Sequence, residues 1–181
     1  FLCIGSDSEP VFISSGVIGN TADYSYLWSN GENTEQIQIN QAGIYTLTVT
    51  NDNNCSKTKS ITIINSNIAT IETIDIQDAS QNNTVTIFAS GEGDYEYSLD
   101  SELGPYQDEN IFFNVQPGFH EVYVRDKNNC GIVSELISVI GFPNFFTPNF
   151  DGYNDTWHVY GINTPEQSES EIYIFDRYGK L

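Results

Sequence analysis

The strongest constraint on this chain is that it repeats itself. Gln41–Cys55 (QAGIYTLTVTNDNNC) lines up without a gap with Gln116–Cys130 (QPGFHEVYVRDKNNC), so that Gln41 meets Gln116 and Cys55 meets Cys130, 75 positions apart. An earlier aromatic strand recurs as well, Tyr24/Tyr26/Trp28 against Tyr95/Tyr97/Leu99. Self-similarity at a fixed spacing points to one structural unit used twice. Gly43 and Gly118 each stand just before a strand. A glycine there takes a positive φ without a Cβ clash and sets the entry turn.

The period inside the unit is two. Apolar residues alternate in Val11-Phe12-Ile13, Tyr24–Trp28, Ile37-Gln38-Ile39, Ile44–Thr50 and Ile61–Ile64. Turn signals separate them at Ser15-Gly16, Asn30-Gly31, Ala42-Gly43 and Asn51–Asn54. Short alternating strands between such turns predict a β-sandwich, and no segment sustains a helical period. The expected architecture is all-β: module one over residues 1–65, module two over 66–140, and the start of a third small β-domain over 141–181. The linkers Asn65–Ile68 and Ile140–Phe142 are short, which predicts a semi-rigid rod of beads rather than a flexible string.

Charge excludes several functions. The chain carries 25 acidic and 6 basic residues, a net charge of −19. Phosphate contacts need clustered Lys and Arg, so nucleic acid is not an expected partner, and anionic membrane surfaces are disfavoured for the same reason. No apolar run approaches a membrane span, so no insertion of its own is expected. A start methionine and a basic, apolar leader are both missing, and the reading is of the C-terminal part of a longer precursor.

No enzymatic activity is expected. The two histidines, His120 and His158, lie in alternating strand patterns, and no nucleophile elbow, phosphate loop or H-E-x-x-H zinc motif occurs. Acids crowd Glu92–Glu109. The reading there is a solvated edge whose charge deters strand pairing, set against a cation site. The three cysteines, Cys3, Cys55 and Cys130, form no C-x-x-C pair and no zinc signature. Cys3 and Cys55 bracket module one and are expected to form a disulfide, leaving Cys130 without a partner.

The least generic stretch is Gly141–Tyr160, GFPNFFTPNFDGYNDTWHVY. Pro143 and Pro148 stiffen an aromatic run, and a polar loop, Asn149–Asp155, follows it. Beyond lies an alternating segment with Trp157 and Val159 on one side and Thr156, His158 and Tyr160 on the other. The stretch resembles the opening of the type B C-terminal sorting domain of the type IX secretion system, also described as the gliding motility-associated C-terminal domain. Phe142, Pro143, Phe146, Thr147, Pro148, Asn149, Asp151, Gly152, Asn154, Asp155 and Trp157 carry the first half of its motif. Ile172–Leu181, with Phe175, Asp176, Arg177, Tyr178 and Gly179, carries the second. Phe150 departs from the family's glycine.

The resemblance implies recognition by the type IX translocon and an outer-membrane partner of the PorP/SprF-like class, with a product exported to the cell surface or medium. The modules resemble Ig-like and PKD-like repeats of surface adhesins of gliding bacteria, through Tyr26-Leu27-Trp28-Ser29-Asn30-Gly31-Glu32 and Tyr95-Glu96-Tyr97-Ser98-Leu99-Asp100. The fold this implies is two tandem Ig-like β-sandwich modules followed by the start of a third, small β-sandwich sorting domain. Two other functions stay open: a glycan- or protein-binding module, with calcium as a candidate cofactor, and an accessory region of a secreted enzyme.

Within the sorting-like segment, Asp151 and Asp155 are candidate cation ligands, because oxygen donors alternate around a glycine turn. The competing reading is an Asx-turn loop that holds its own backbone. The aromatic residues either fill a core or form a docking surface. Thr156–Ile162 and Glu171–Asp176 are expected to pair as a hairpin held by Phe145, Phe146 and Trp157, with a tight turn at Asp176–Gly179.

Overall fold

The computed structural model describes residues 1–4, 10–162, 173, 175 and 178–180. It is all-β, as expected. Its contacts divide into two compact units. The first comprises Phe1–Thr70, Ala89–Glu96 and Val124–Val133; the second comprises Ile71–Phe88, Tyr97–Tyr123 and Ser134–Leu181.

In the first unit, β1 (Leu2–Cys3), β2 (Val11–Ser14), β3 (Tyr24–Trp28), β4 (Gln36–Ile39), β5 (Gly43–Asn51), β6 (Ser56–Ile63) and β7 (Asn65–Ser66) follow one another. Strands β2 and β4 form one antiparallel pair, and β3-β5-β6 form an antiparallel sheet. Tyr26, Trp28, Leu47 and Ile63 from the three-stranded sheet are buried in one cluster with Ile37 and Ile39 of β4. Two sheets that share a core through their alternate residues make a sandwich. Trp28, 2% exposed, donates its indole N–H to the Thr34 carbonyl at 2.9 Å, so its one polar atom is satisfied in the interior.

The repeat is visible in the backbone. β10 (Tyr95–Leu99), β12 (Gly118–Asp126) and β13 (Ile132–Val139) form a sheet in the order β10-β12-β13, the counterpart of β3-β5-β6. β9 (Thr84–Ser90) pairs with β11 (Ile111–Phe113) as β2 pairs with β4, and β8 (Thr70–Gln77) adds a strand beside β9. Gly43 and Gly118 have φ of 155° and 146°, as the entry-turn argument predicts. Asn54 and Asn129, again equivalent positions, have φ of 59° and 67°. Both closing turns bond alike: Asn54 N–H donates to the Asn51 carbonyl and Asn129 N–H to the Asp126 carbonyl, each at 2.9 Å. In the second unit Val85, Ile87, Val115, Val122, Ile137 and Val139 are buried.

Two expectations are corrected. Cys3 is bonded to Cys130, not Cys55, with 5.3 Å between the Cα atoms; Cys55 is an exposed free thiol. The reason lies in β1, which pairs in parallel with β7, placing Cys3 opposite Ser66 beyond the end of β6. Cys55 precedes the other end of β6. Eight extended residues span roughly 25 Å, far outside the reach of a disulfide. The Asp126–Cys130 turn, by contrast, lies against β7, where Ser66 donates its hydroxyl to Asp126 at 2.9 Å.

The second correction concerns Thr156–Ile162, which is not a strand. Its ladder reduces to one antiparallel bridge, Gly141 to Tyr160. The facing run contains Pro143 and Pro148, which have no N–H to give to a ladder. The side-chain alternation survives all the same: Trp157 and Val159 are half-buried, while Thr156, His158 and Tyr160 are exposed.

Candidate functional site

The segment after β13 is anchored at two glycines that the sequence reading did not single out. A Cβ on Gly141 would lie 2.3 Å from Cγ of Pro117, and one on Gly161 would lie 2.5 Å from the Val139 carbonyl oxygen. Gly141 and Tyr160 exchange backbone bonds, Tyr160 N–H donating at 2.7 Å, and the Ser138 hydroxyl donates to the Gly161 carbonyl. Just before them, the Ile140 N–H donates to the Asp78 carboxylate at 2.8 Å. The only sequence sign of these anchors is glycine at both ends of an aromatic run.

Between the anchors the chain makes a loop organised by Asp155. One of its carboxylate oxygens accepts the N–H groups of Asn149 at 3.0 Å and Phe150 at 2.6 Å. The other accepts the Gly152 N–H at 2.8 Å. Charge-assisted bonds to three backbone N–H groups within four residues fix the loop more firmly than neutral bonds do. Asp151 accepts from the Tyr153 N–H and from the Asn149 amide, both at 2.8 Å. These bonds, the Tyr153 N–H foremost and the Asn149 amide next, hold its carboxyl below the usual carboxylate range. Phe150, Gly152 and Asn154 all have positive φ, at 61°, 89° and 51°. Phe150, in place of the family's glycine, therefore occupies a backbone region where glycine is the relaxed choice.

The sequence-predicted residues fall into distinct roles. Asn149, Asp151, Gly152, Asn154 and Asp155 are brought together in the loop; Asn154 also gives its carbonyl to the Thr147 N–H at 2.7 Å. Trp157 packs against Phe142, with ring centroids 5.8 Å apart, and its indole N–H donates to the Pro143 carbonyl at 3.2 Å. Phe145 and Phe146 do not join it: they are exposed, as are Phe142, Phe150, Tyr153, Phe175 and Tyr178. Among the described residues, the expected Phe145/Phe146/Trp157 cluster gives way to a ring contact between Phe142 and Trp157. Pro148 is exposed in the loop entry and Gly179, with φ of 74°, follows Tyr178 in a turn. Asp176, Arg177, most of Glu171–Asp176 and residues 163–170 lie outside the described residues.

The cation readings gain no support from geometry. Among the described residues no three His, Cys, Asp or Glu side chains gather closely enough to hold a metal ion. Acids of the Glu92–Glu109 stretch find bases instead: Glu96 pairs with Arg125 at 2.6 Å and Asp94 with Lys127 at 3.1 Å. Asp100 meets Nδ1 of His120 at 2.7 Å, while Nε2 of the same ring faces the Gln116 carbonyl at 2.6 Å, so His120 braces a strand. Phe142 and Gly141 also border an open, shallow cavity of about 520 Å³ together with Pro117 and Ala79. No helix among the described residues is long and apolar enough to cross a membrane.

Comparison with known proteins separates the two parts of the chain. No curated protein matches it in sequence. Among solved structures it is similar to murine CEACAM1b, at 10% identity and a TM-score of 0.41 over 65% of this chain and 85% of that one. It is also similar to the amphioxus IgVJ-C2 molecule, at 11% identity and a TM-score of 0.37 over 72% and 96%. At scores this low the likeness says nothing about activity, and the fold rests on its own strand pairing. Residues 140–181, however, match the model of the CHU_C type IX secretion signal domain. The anchored, Asp155-centred loop and the aromatic residues around it therefore lie in the segment that matches a type IX secretion signal domain, a match that supports export of the protein that carries it.

Proposed function

We propose that this chain is the address and stalk of a cell-surface adhesin, the last domain being read by the type IX translocon and an outer-membrane partner of the PorP/SprF-like class. The observation that carries this reading is the match over residues 140–181, in a segment whose Phe142, Phe145, Phe146, Phe150 and Tyr153 are all exposed. Exposed aromatic side chains on a loop tied down by its own hydrogen bonds suit recognition by a preformed receptor. The sandwich modules then act as a spacer for adhesion, in gliding or otherwise, and not as an enzyme.

Fusing the complete signal domain to a periplasmic reporter tests the address. In a host with the type IX system the reporter reaches the surface or medium, and removal of the domain leaves it in the periplasm. Export of the reporter by the sandwich modules alone would refute the reading. In the same reading the Asn149–Asp155 loop needs no calcium, since its carboxylates already hold backbone donors. The melting temperature is then the same in EDTA and in millimolar calcium.

A further inference from the structure

The two repeats end in the same turn, and only one of those turns is occupied. At the second, four residues hold the segment around β7. Asp126 accepts the Ser66 hydroxyl at 2.9 Å, and the Tyr95 hydroxyl donates to the Asn67 side-chain oxygen at 2.8 Å. Cys130 is bonded to Cys3, and Gly131 leaves room for Ile68, whose Cγ1 would lie 2.5 Å from a Cβ at that position. Their counterparts in the first repeat are Asn51, Tyr24, Cys55 and Ser56. All four line one open cavity of about 480 Å³, and Cys55 is an exposed free thiol.

We infer that this cavity is a seat for a further sandwich module of the same repeat, joined ahead of Phe1, and that Cys55 is its disulfide acceptor. The cysteine it takes stands on the first strand of that module, as Cys3 stands to Cys130. The observation beyond the thiol itself is that the equivalent cysteine, in a turn of the same backbone, already makes this bond in the same molecule. Each module would thus be stapled by its first strand to the closing turn of the next. In forming the bond the two thiols lose two protons and two electrons. A low-molecular-weight disulfide such as oxidised glutathione takes them up and is cleaved to two thiols.

The test adds a copy of residues 1–75 that itself carries Cys55→Ser directly ahead of Phe1 of the full chain, so that the host Cys55 is the one Cys55 read and the two copies differ in peptide mass. This puts a new cysteine at the 127-residue separation that Cys3 keeps from Cys130. The chain is refolded with oxidised and reduced glutathione, alkylated and mapped as non-reduced peptides. A second version carries Ser56→Gly, because the occupied seat has glycine there. The expected result is a peptide joining the added Cys3 to Cys55, with alkylation of Cys55 at least tenfold lower than in the parent chain. Cys55→Ser in the host chain as well returns the added cysteine to the alkylated pool. Formation of the original Cys3–Cys130 bond shows that the host modules have folded. Cys55 still fully alkylated beside an intact Cys3–Cys130 bond in both versions overturns the proposal, and so do Cys55-linked dimers between chains.

Discussion

The turns Asn51–Cys55 and Asp126–Cys130 have the same backbone and opposite surroundings. Each bends through an asparagine of positive φ, and each uses the first side chain of the turn as acceptor for the N–H of its cysteine, at 2.9 Å from Asn51 and 3.2 Å from Asp126. Yet Asn51 is half-buried beside an exposed thiol, whereas Asp126 is 1% exposed beside a disulfide. The buried carboxylate is fully engaged, with the Ser66 hydroxyl, the Asp94 and Cys130 N–H groups and the Asn128 amide as donors. A repeated sequence therefore dictates the bend, while the segment lying against it decides whether the bend is a free end or a joint.

That contrast is broken most forcefully at the cysteines. Cys3→Ser opens a crosslink spanning 127 residues, and chain entropy puts the loss at about 3–5 kcal/mol. Cys55→Ser changes stability by less than about 0.5 kcal/mol. Urea unfolding of both variants without reductant measures the difference, and equal losses would mean that the turns are not different in kind.

Next in size is the acceptor of each turn. Asp126→Ala strands several buried donors and costs about 2–4 kcal/mol, whereas Asn51→Ala, with water at hand, costs about 0.5–1.5 kcal/mol. Thermal unfolding of the two variants ranks them.

The smallest effect sharpens the comparison along the neighbouring strands. Thr48 of β5 bonds across to Thr58 at 2.9 Å; its equivalent on β12, Tyr123, donates its phenol to Glu121 at 2.7 Å. That bond to Glu121, followed by burial and the nearby Glu121 charge, raises Tyr123 to about 12. The same bond, with the Ser134 hydroxyl, holds Glu121 below its ordinary range. A raised folded value means that the tyrosine's contribution is complete below about pH 10 and fades as pH climbs through about 12. Phenolate absorbance should show a late-titrating tyrosine that Tyr123→Phe removes.

Much of this is legible in the sequence. Alternation located Tyr24–Trp28 to the residue, because a strand with one face in a core must change polarity at every step. The repeat located both glycine entry turns. Pairing of Cys3 was not legible, because β1 and β7 are two residues each and their parallel alignment leaves no period to read. One clue existed: at equivalent positions Asn51 is replaced by the acid Asp126, beside Gly131 in place of Ser56, and a turn altered at both ends is a turn with a new neighbour. In the sorting segment the motif residues were found, but motif positions do not say which aromatic residues face inward. Trp157 and Phe142 meet because Trp157 has a carbonyl for its N–H at Pro143, while Phe145 and Phe146 stay in solvent.

The central claim is that export depends on the signal domain and not on the modules before it. Surface proteolysis of intact cells, with fractionation of periplasm and medium, measures it directly in a host with the type IX system. Asp155→Ala, which releases three backbone N–H donors of the loop, should leave most of the protein in the periplasm, whereas Cys55→Ser should reach the surface as the parent does. Normal surface display of a chain lacking residues 140–181 would contradict the account.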